Sequence, residues 1–389
     1  MYNKKMVFWS ACFGMLLFGI ALISLGSLAP DLKEKLHLGE IDSGAMFSVL
    51  PFGVLVGSLL FGPIVDRFGY KILLIVSCIL LSGGFGGIAI AGDPGLLKIY
   101  IFLIGSGGGA VNGATNALVS DISENDKGAN LSLLGVFFGI GALGMPLVLG
   151  LLETSFGFET IIAAVGSLSF AAAIFFLLVK MPPPKQIQGF PLLKSPAFFK
   201  DKLLLLIAFF LFFQSSFEGI INNWTTTYLI SQHSAEQSSA LYALSLFVAG
   251  MALMRLLTGT ILRHIPVKRI LIGSFVLIVM GLILIKTGLS LASAITGLFI
   301  LGAGLAGGFP IMLGFVGEMY ADLSGTAFSF VLFIALIGNM LVNYLMGIIS
   351  QNLGIGHLIT VAFAETIIMI ILCFVILKKK KKSSYTESH

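Results

Sequence analysis

This chain has little charge. Only 11% of its 389 residues are Asp, Glu, Lys or Arg, whereas a soluble domain carries roughly a quarter. No polar stretch is long enough to build a soluble domain. Cysteine is scarcer still. Cys12, Cys78 and Cys373 lie far apart in apolar segments, which excludes a disulfide framework and a thiolate metal site. The five histidines form no metal-spaced cluster. There is no Walker loop, so ATP does not drive the protein directly. No Ser-His-Asp set or carboxylate pair argues for an enzyme. Gly105-Ser-Gly107-Gly-Gly-Ala110 fits a dinucleotide fingerprint by letters, but it sits in an apolar run without a βαβ context. The expectation is no enzyme, no metal and no cofactor.

What the chain has instead is hydrocarbon. It is 57% hydrophobic, with a mean hydropathy of +1.04, 47 glycines and 34 phenylalanines. About 20 apolar residues cross a bilayer core as a helix. Twelve stretches qualify: 7–29, 44–65, 72–91, 99–120, 131–152, 160–180, 203–229, 239–262, 270–288, 293–316, 326–349 and 358–377. The first resembles a signal peptide but is too long for a cleaved apolar region, so it reads as an uncleaved span.

An even number of spans puts both termini on one side, and Lys and Arg say which. Lys4, Lys5, Arg67, Lys71, Lys127, Lys180, Lys185, Lys194, Lys200, Lys202, Arg263, Lys268, Arg269 and the run from Lys378 to Lys382 share one set of loops. Lys33, Lys35, Lys98 and Lys286 face the other way. Both termini are expected in the cytoplasm of a multi-pass protein of the cell (inner) membrane. The +5 net charge is this asymmetry and calls for no nucleic acid. The terminal lysines suit an anionic membrane surface.

The second half repeats the first at an offset of 197 residues. Gly62-Pro-Ile-Val-Asp66-Arg67-Phe-Gly69-Tyr-Lys71 falls over 259–268, Asp121 over Glu318, Gly141 over Gly338 and Gly150 over Gly347. The register holds without a gap from the second span through the fifth. The expected fold class is an all-α membrane protein, twelve transmembrane helices in two pseudo-symmetric six-helix bundles. The bundles are 1–180 and 203–377, joined by a cytoplasmic linker at 181–202 that opens with MPPPK and followed by a basic tail at 378–389. Parallel repeats of this kind frame a midplane site between the halves.

The stretch from Gly62 to Lys71 closely resembles the G-x-x-x-D-R-x-G-x-[KR] signature of the major facilitator superfamily, and the resemblance covers the whole chain. It implies alternating access and gives Gly62, Asp66, Arg67, Gly69 and Lys71 the role of a gate latch. Arg255, inside span eight, could bind an anion, but it lies four residues before Gly259 in the second copy of that region; the preferred reading is a gate contact that, with Asp121 and Glu318, completes the expected gate set. Three segments are similar to the fucose-permease-like sugar symporters of that superfamily: GSGGGAVNGATNALV at 105–119, FEGIINNWTTTYL at 217–229 and GGFPIMLGFVGEMY at 307–320. Proton-linked members of that group carry carboxylates in spans one and four. Span one here has no Asp or Glu, and the span-four position is Asn112.

Polar residues inside spans mark candidate function. Asn112 and Asn116 share a face of span four, as do Asn339 and Asn343 in span eleven; Gln214, Glu218 and Asn222 line up in span seven beside Asn223 and Trp224. Amides suit sugar hydroxyls, Trp224 offers a flat ring or an interfacial anchor, and Glu218 can hold hydroxyls or carry a coupling proton. The amide pairs equally suit helix–helix bonding. Glu365 in span twelve has no partner the sequence identifies. Gly307, Gly308 and Pro310, and likewise Gly139, Gly141, Gly144 and Pro146, mark bends or close-packing surfaces. The expected activity is import of a sugar or similar polyhydroxyl solute coupled to an H+ or Na+ gradient, by a monomer. The alternative is a proton-antiport exporter of drugs or metabolites.

Overall fold

Twelve helices long and apolar enough to cross a bilayer are found where the hydrophobic runs predict them. A computed structural model describes residues 2–123, 127–152, 155–183, 200–259, 265–288, 290–320 and 324–386. Spans one to six are Lys4–Ser27, Glu40–Phe61, Arg67–Ile90, Pro94–Ile122, Leu133–Leu152 and Phe158–Leu178. Spans seven to twelve are Lys202–His233, Gln237–Thr258, Val267–Thr287, Leu291–Met319, Phe330–Leu353 and Ile355–Lys380. Lys185, Lys194 and Arg263, counted in the charge asymmetry, lie outside the described residues. Lys4 and Lys380 lie at the same end of the bundle, called here the terminal end; the opposite is the far end.

One local feature was not predicted, and one expected bend is a full break. A short helix, Ala29–Leu36, follows span one at the far end, started by Pro30 in its first turn. Span ten is broken, with helices Leu291–Leu305 and Gly308–Met319 meeting at Gly307. Gly307 and Gly308 weaken the helix there, and Pro310 has no N–H to continue the ladder. Span five, by contrast, carries Pro146 inside one continuous helix, Lys127–Leu152. Gly141 is a packing surface there, because a Cβ on it would lie 2.1 Å from the Leu16 carbonyl oxygen of span one.

The repeat is visible in the packing. A Cβ on Gly107 of span four would lie 2.7 Å from the Ser77 carbonyl oxygen of span three; one on Gly304 of span ten would lie 2.9 Å from that of Ser274 in span nine. Both residues of the second pair stand 197 positions after those of the first. Small residues let membrane helices approach closely, where dispersion rather than hydrophobic exclusion holds them. Between the halves the same symmetry recurs: Gly150 of span five meets Tyr242 of span eight, and Gly347 of span eleven meets Gly44 of span two.

Spans two and three run through the signature loop almost without interruption. Gly69 alone departs, at φ 79° and ψ 167°. A side chain is strained at that φ, so the glycine of the signature is required by the turn. Arg67 is exposed, with its guanidinium 5.2 Å from the Phe68 ring centre. The Asp66 side chain and Gly62 lie outside the described residues, so the latch expected of them has no described contact.

Candidate functional site

Span seven sorts the predicted polar residues, because each face of that helix meets a different neighbour. Gln214 is buried and donates through Nε2 to the Leu305 carbonyl at the break in span ten, 3.0 Å away. It packs on Gly308, where a Cβ would overlap it. Asn223 donates to Asn343 Oδ1 at 3.1 Å. Asn343 donates to the side chain and backbone oxygens of Asn339, at 2.8 and 2.9 Å, and Asn339 donates to the Ser215 carbonyl at 3.0 Å. These three amides thus form a polar ladder between spans seven and eleven. Interhelical bonds of this kind contribute about 0.6 kcal/mol each.

Trp224 lies neither in an interfacial belt nor against open space. It is fully buried, and the Phe47 ring of span two meets it edge to face, centroids 5.0 Å apart and planes at 73°. Two aromatic rings so arranged add about 0.5–1.5 kcal/mol beyond burial. This contact joins the halves. Ser216 faces span twelve and donates to Glu365 Oε1; Oε2 of that buried carboxyl has no partner. The sequence carried no signal for this pair, since 149 residues separate the two.

Glu218 and Asn222 share the remaining face, and it borders a cavity of about 860 Å³. Spans one, five, seven and eight enclose it. Its walls are mostly apolar: Met15, Leu22, Ile140, Leu143, Phe247 and Met251 contribute. Of its described lining residues only Glu218, Asn222 and Arg255 carry polar side-chain groups able to fix a solute. Arg255, expected as a gate contact, therefore lines the cavity. Gly139 and Gly144 line it too and leave open space where a Cβ would stand. Asn112 and Asn116 are half-buried but absent from this lining; Asn116 donates to Asn112 Oδ1 at 3.0 Å and to its carbonyl at 2.9 Å. The cavity is greasier than an amide-rich sequence suggests, because most of those amides satisfy one another.

The cavity reaches Gly135 and Leu256 toward the terminal end. Toward the far end it stops under contacts between the halves. Gly26 of span one presses on Asn222, where a Cβ would lie 2.1 Å from the carbonyl oxygen, and Thr226 donates to the Gly26 carbonyl at 2.9 Å. Ser245 donates to Leu143 at 3.3 Å and Tyr242 to Gly150 at 3.0 Å. Ser48 donates to Met340, Ser350 to Glu40 and Gln237 to Asp31, at 2.7, 2.9 and 2.8 Å. At the terminal end the predicted gate acids are engaged within their own halves. Asp121 accepts from Tyr70 at 2.6 Å, and Glu318 pairs with Lys380 at 2.6 Å. Tyr320 donates to Asp201 at 2.5 Å; burial first, then that carboxylate, raises the phenol's pKa.

Two six-helix halves around a cavity sealed at one end define a polytopic membrane transporter. The sequence profile of the Major Facilitator Superfamily matches residues 11–341, and the chain belongs to that superfamily. It is similar to the glucose/mannose transporter GlcP of Bacillus subtilis (strain 168), 24% identical over 340 residues covering 85% of this chain and 84% of that protein. The hexuronate transporter of the same organism is 26% identical over 234 residues, 56% of this chain; the chain matches only 54% of that relative's length. Among solved structures a D-xylose-proton symporter superposes with a TM-score of 0.81 at 14% identity, covering 96% of this chain and 97% of that one, which speaks to the fold alone.

Proposed function

We propose that this protein is a secondary active transporter that imports a sugar or similar polyhydroxylated solute by alternating access, coupled to an H+ or Na+ gradient. The observation that carries the reading is the cavity between the halves, with Glu218 and Asn222 on its wall and its far end closed. With the Lys- and Arg-rich loops in the cytoplasm, the terminal end faces inward, and the structure represents an inward-facing state of a multi-pass protein of the cell membrane. The names of the glucose/mannose and xylose relatives support a sugar-class solute. Glu218 is the coupling residue, because it is the carboxyl on the described cavity lining and intramembrane carboxyls serve as proton relays. The amides of span four contact the solute as it leaves through the terminal end. The protein works as a monomer.

One observation favours a second reading. The apolar cavity walls also suit the amphipathic solutes of a proton-antiport exporter. Uptake into proteoliposomes separates the two. Import predicts accumulation of radiolabelled glucose or xylose driven by an imposed proton or sodium gradient, abolished in Glu218→Gln. Gradient-driven loss of ethidium from the same vesicles, with no sugar accumulation, would establish the exporter instead.

A further inference from the structure

The cavity holds one acid and one base on the same wall. Glu218 sits at the middle of the 32-residue span seven, and Arg255 lies in the last turn and a half of span eight. At about 1.5 Å per residue they lie roughly 22 Å and 27 Å from the far ends of their helices, within about one turn of each other in depth. The described lining from the first half presents no charge to them. The side chains opposite include Met15, Leu22, Ile140 and Leu143. Other titratable groups on neighbouring elements are occupied elsewhere. Glu365 of span twelve binds Ser216 on another face of span seven, Glu318 of span ten pairs with Lys380, and Asp201 binds Tyr320.

A guanidinium is permanently charged. Arg255 is exposed at the terminal end of the cavity, and the ionised Glu218 is the carboxylate that shares its wall, with an attraction that the apolar walls strengthen. Once Glu218 takes up a proton, no carboxylate on the described lining faces Arg255. An anionic solute supplies one. A carboxylate matches the planar fork of a guanidinium with two parallel N–H···O bonds. One turn toward the far end, Asn222 is nine-tenths buried and its Oδ1 has no donor. It can accept from a solute hydroxyl. The opposite apolar wall takes the carbon skeleton.

We propose that Arg255 is the anion subsite of this cavity and that the transported solute is a hydroxylated monocarboxylate, admitted when Glu218 is protonated. This rests on the transport reading above and narrows its solute class from neutral sugars to sugar acids and compact hydroxy acids. One proton and one monoanion enter together, so the loaded cavity has the same net charge as the empty one. The balance is simple: the proton goes to a Glu218 carboxylate oxygen, the solute carboxylate takes that group's place on Arg255, and no covalent bond to carbon changes.

Equilibrium binding of radiolabelled D-glucuronate, 4-hydroxybenzoate and D-glucose to the purified full chain tests this. At least one carboxylate should bind more tightly at pH 5.5 than at pH 7.5, approaching tenfold per pH unit above the pH at which Glu218 titrates. Arg255→Gln should weaken carboxylate binding tenfold or more, Arg255→Lys should retain part of it, and Glu218→Gln should make it independent of pH. If Arg255→Gln does not fold, the Arg255→Lys and Glu218→Gln measurements decide. Failure of both carboxylates to bind at either pH overturns the proposal, as does carboxylate binding that the Arg255 variants leave unchanged. Gradient-driven glucose accumulation without carboxylate binding removes the anion subsite and leaves the transport reading intact. Carboxylate binding with no gradient-driven accumulation of any of the three probes removes the transport reading itself.

Discussion

The two ends of this bundle are built from the same kinds of residue and arranged oppositely. At the far end, Gly26, Ser48, Glu40, Asp31, Gly150 and Leu143 of the first half all contact the second half. Among the described contacts at the terminal end, Asp121 binds Tyr70 of the first half, and Asp201 and Glu318 bind Tyr320 and Lys380 beside the second. The same polar chemistry closes one end and tightens the separate halves at the other. The difference teaches where switching energy resides. The far-end contacts are individually weak, bonds of about 0.6 kcal/mol, and the backbone approaches that position them are steric. A set of small terms that must break together suits a two-state element whose balance a solute or proton can shift.

The sharpest break of this comparison is Gly26→Val. A Cβ there would collide with the Asn222 carbonyl oxygen, and backbone cannot yield as a flexible side chain can. The far end should be forced open, with transport falling tenfold or more. Spin-label distances across that end should lengthen by several ångströms, about the scale of a helix displacement. Gly139→Ala, where a Cβ meets open space, should leave those distances unchanged. Lengthening in both variants, or in neither, would show that the far-end glycine contact does not hold the halves.

Ser216→Ala comes next. It leaves the buried Glu365 without its hydroxyl donor and should lower thermal stability in detergent by about 1–3 kcal/mol. Solute affinity should not change, because the pair faces span twelve rather than the cavity. A change in affinity without a stability loss would move Glu365 into the transport cycle.

Thr226→Ala removes one far-end bond. It should shift the balance toward far-end opening by about 0.6 kcal/mol, close to threefold. Tyr70→Phe, which removes a bond inside the first half, should shift it less. Accessibility of a single engineered cysteine at the far end reads both, and equal shifts would erase the distinction between the ends.

The smallest effect is that of pH on Asp31. Burial raises its pKa above the ordinary carboxylate range, partly offset by the hydrogen bond from Gln237. The closed far end therefore holds the proton more tightly than an arrangement in which Asp31 is solvated. Closure is favoured below the raised value and weakens as pH climbs from the ordinary carboxylate range through it. In Asp31→Asn, far-end distances should lose this pH dependence. Persistence of the full dependence in that variant assigns it to another group.

How much was legible in advance differs by level. Span number, orientation of the repeat and the break near Gly307 follow from hydropathy, offset and helix-breaking residues, all local properties. The site was legible only in part. Glu218 and Asn222 stand on the cavity, as their spacing on span seven suggests. Gln214, Asn223, Asn339 and Asn343 face neighbouring helices, and no periodicity distinguishes an amide that binds a solute from one that bonds a helix. The apolar residues Met15, Leu143 and Met251 form the walls, and nothing in their identity separates them from lipid-facing neighbours.

The sequence by itself determined that this chain spans a membrane twelve times as two related halves, because apolar length and small-residue spacing act within and between adjacent helices. Only the tertiary structure decided which polar groups border the cavity and which end is closed. Those depend on how helices far apart in the chain rotate and approach, so that Arg255 comes to share a cavity with Glu218 and Gly26 comes to rest on Asn222.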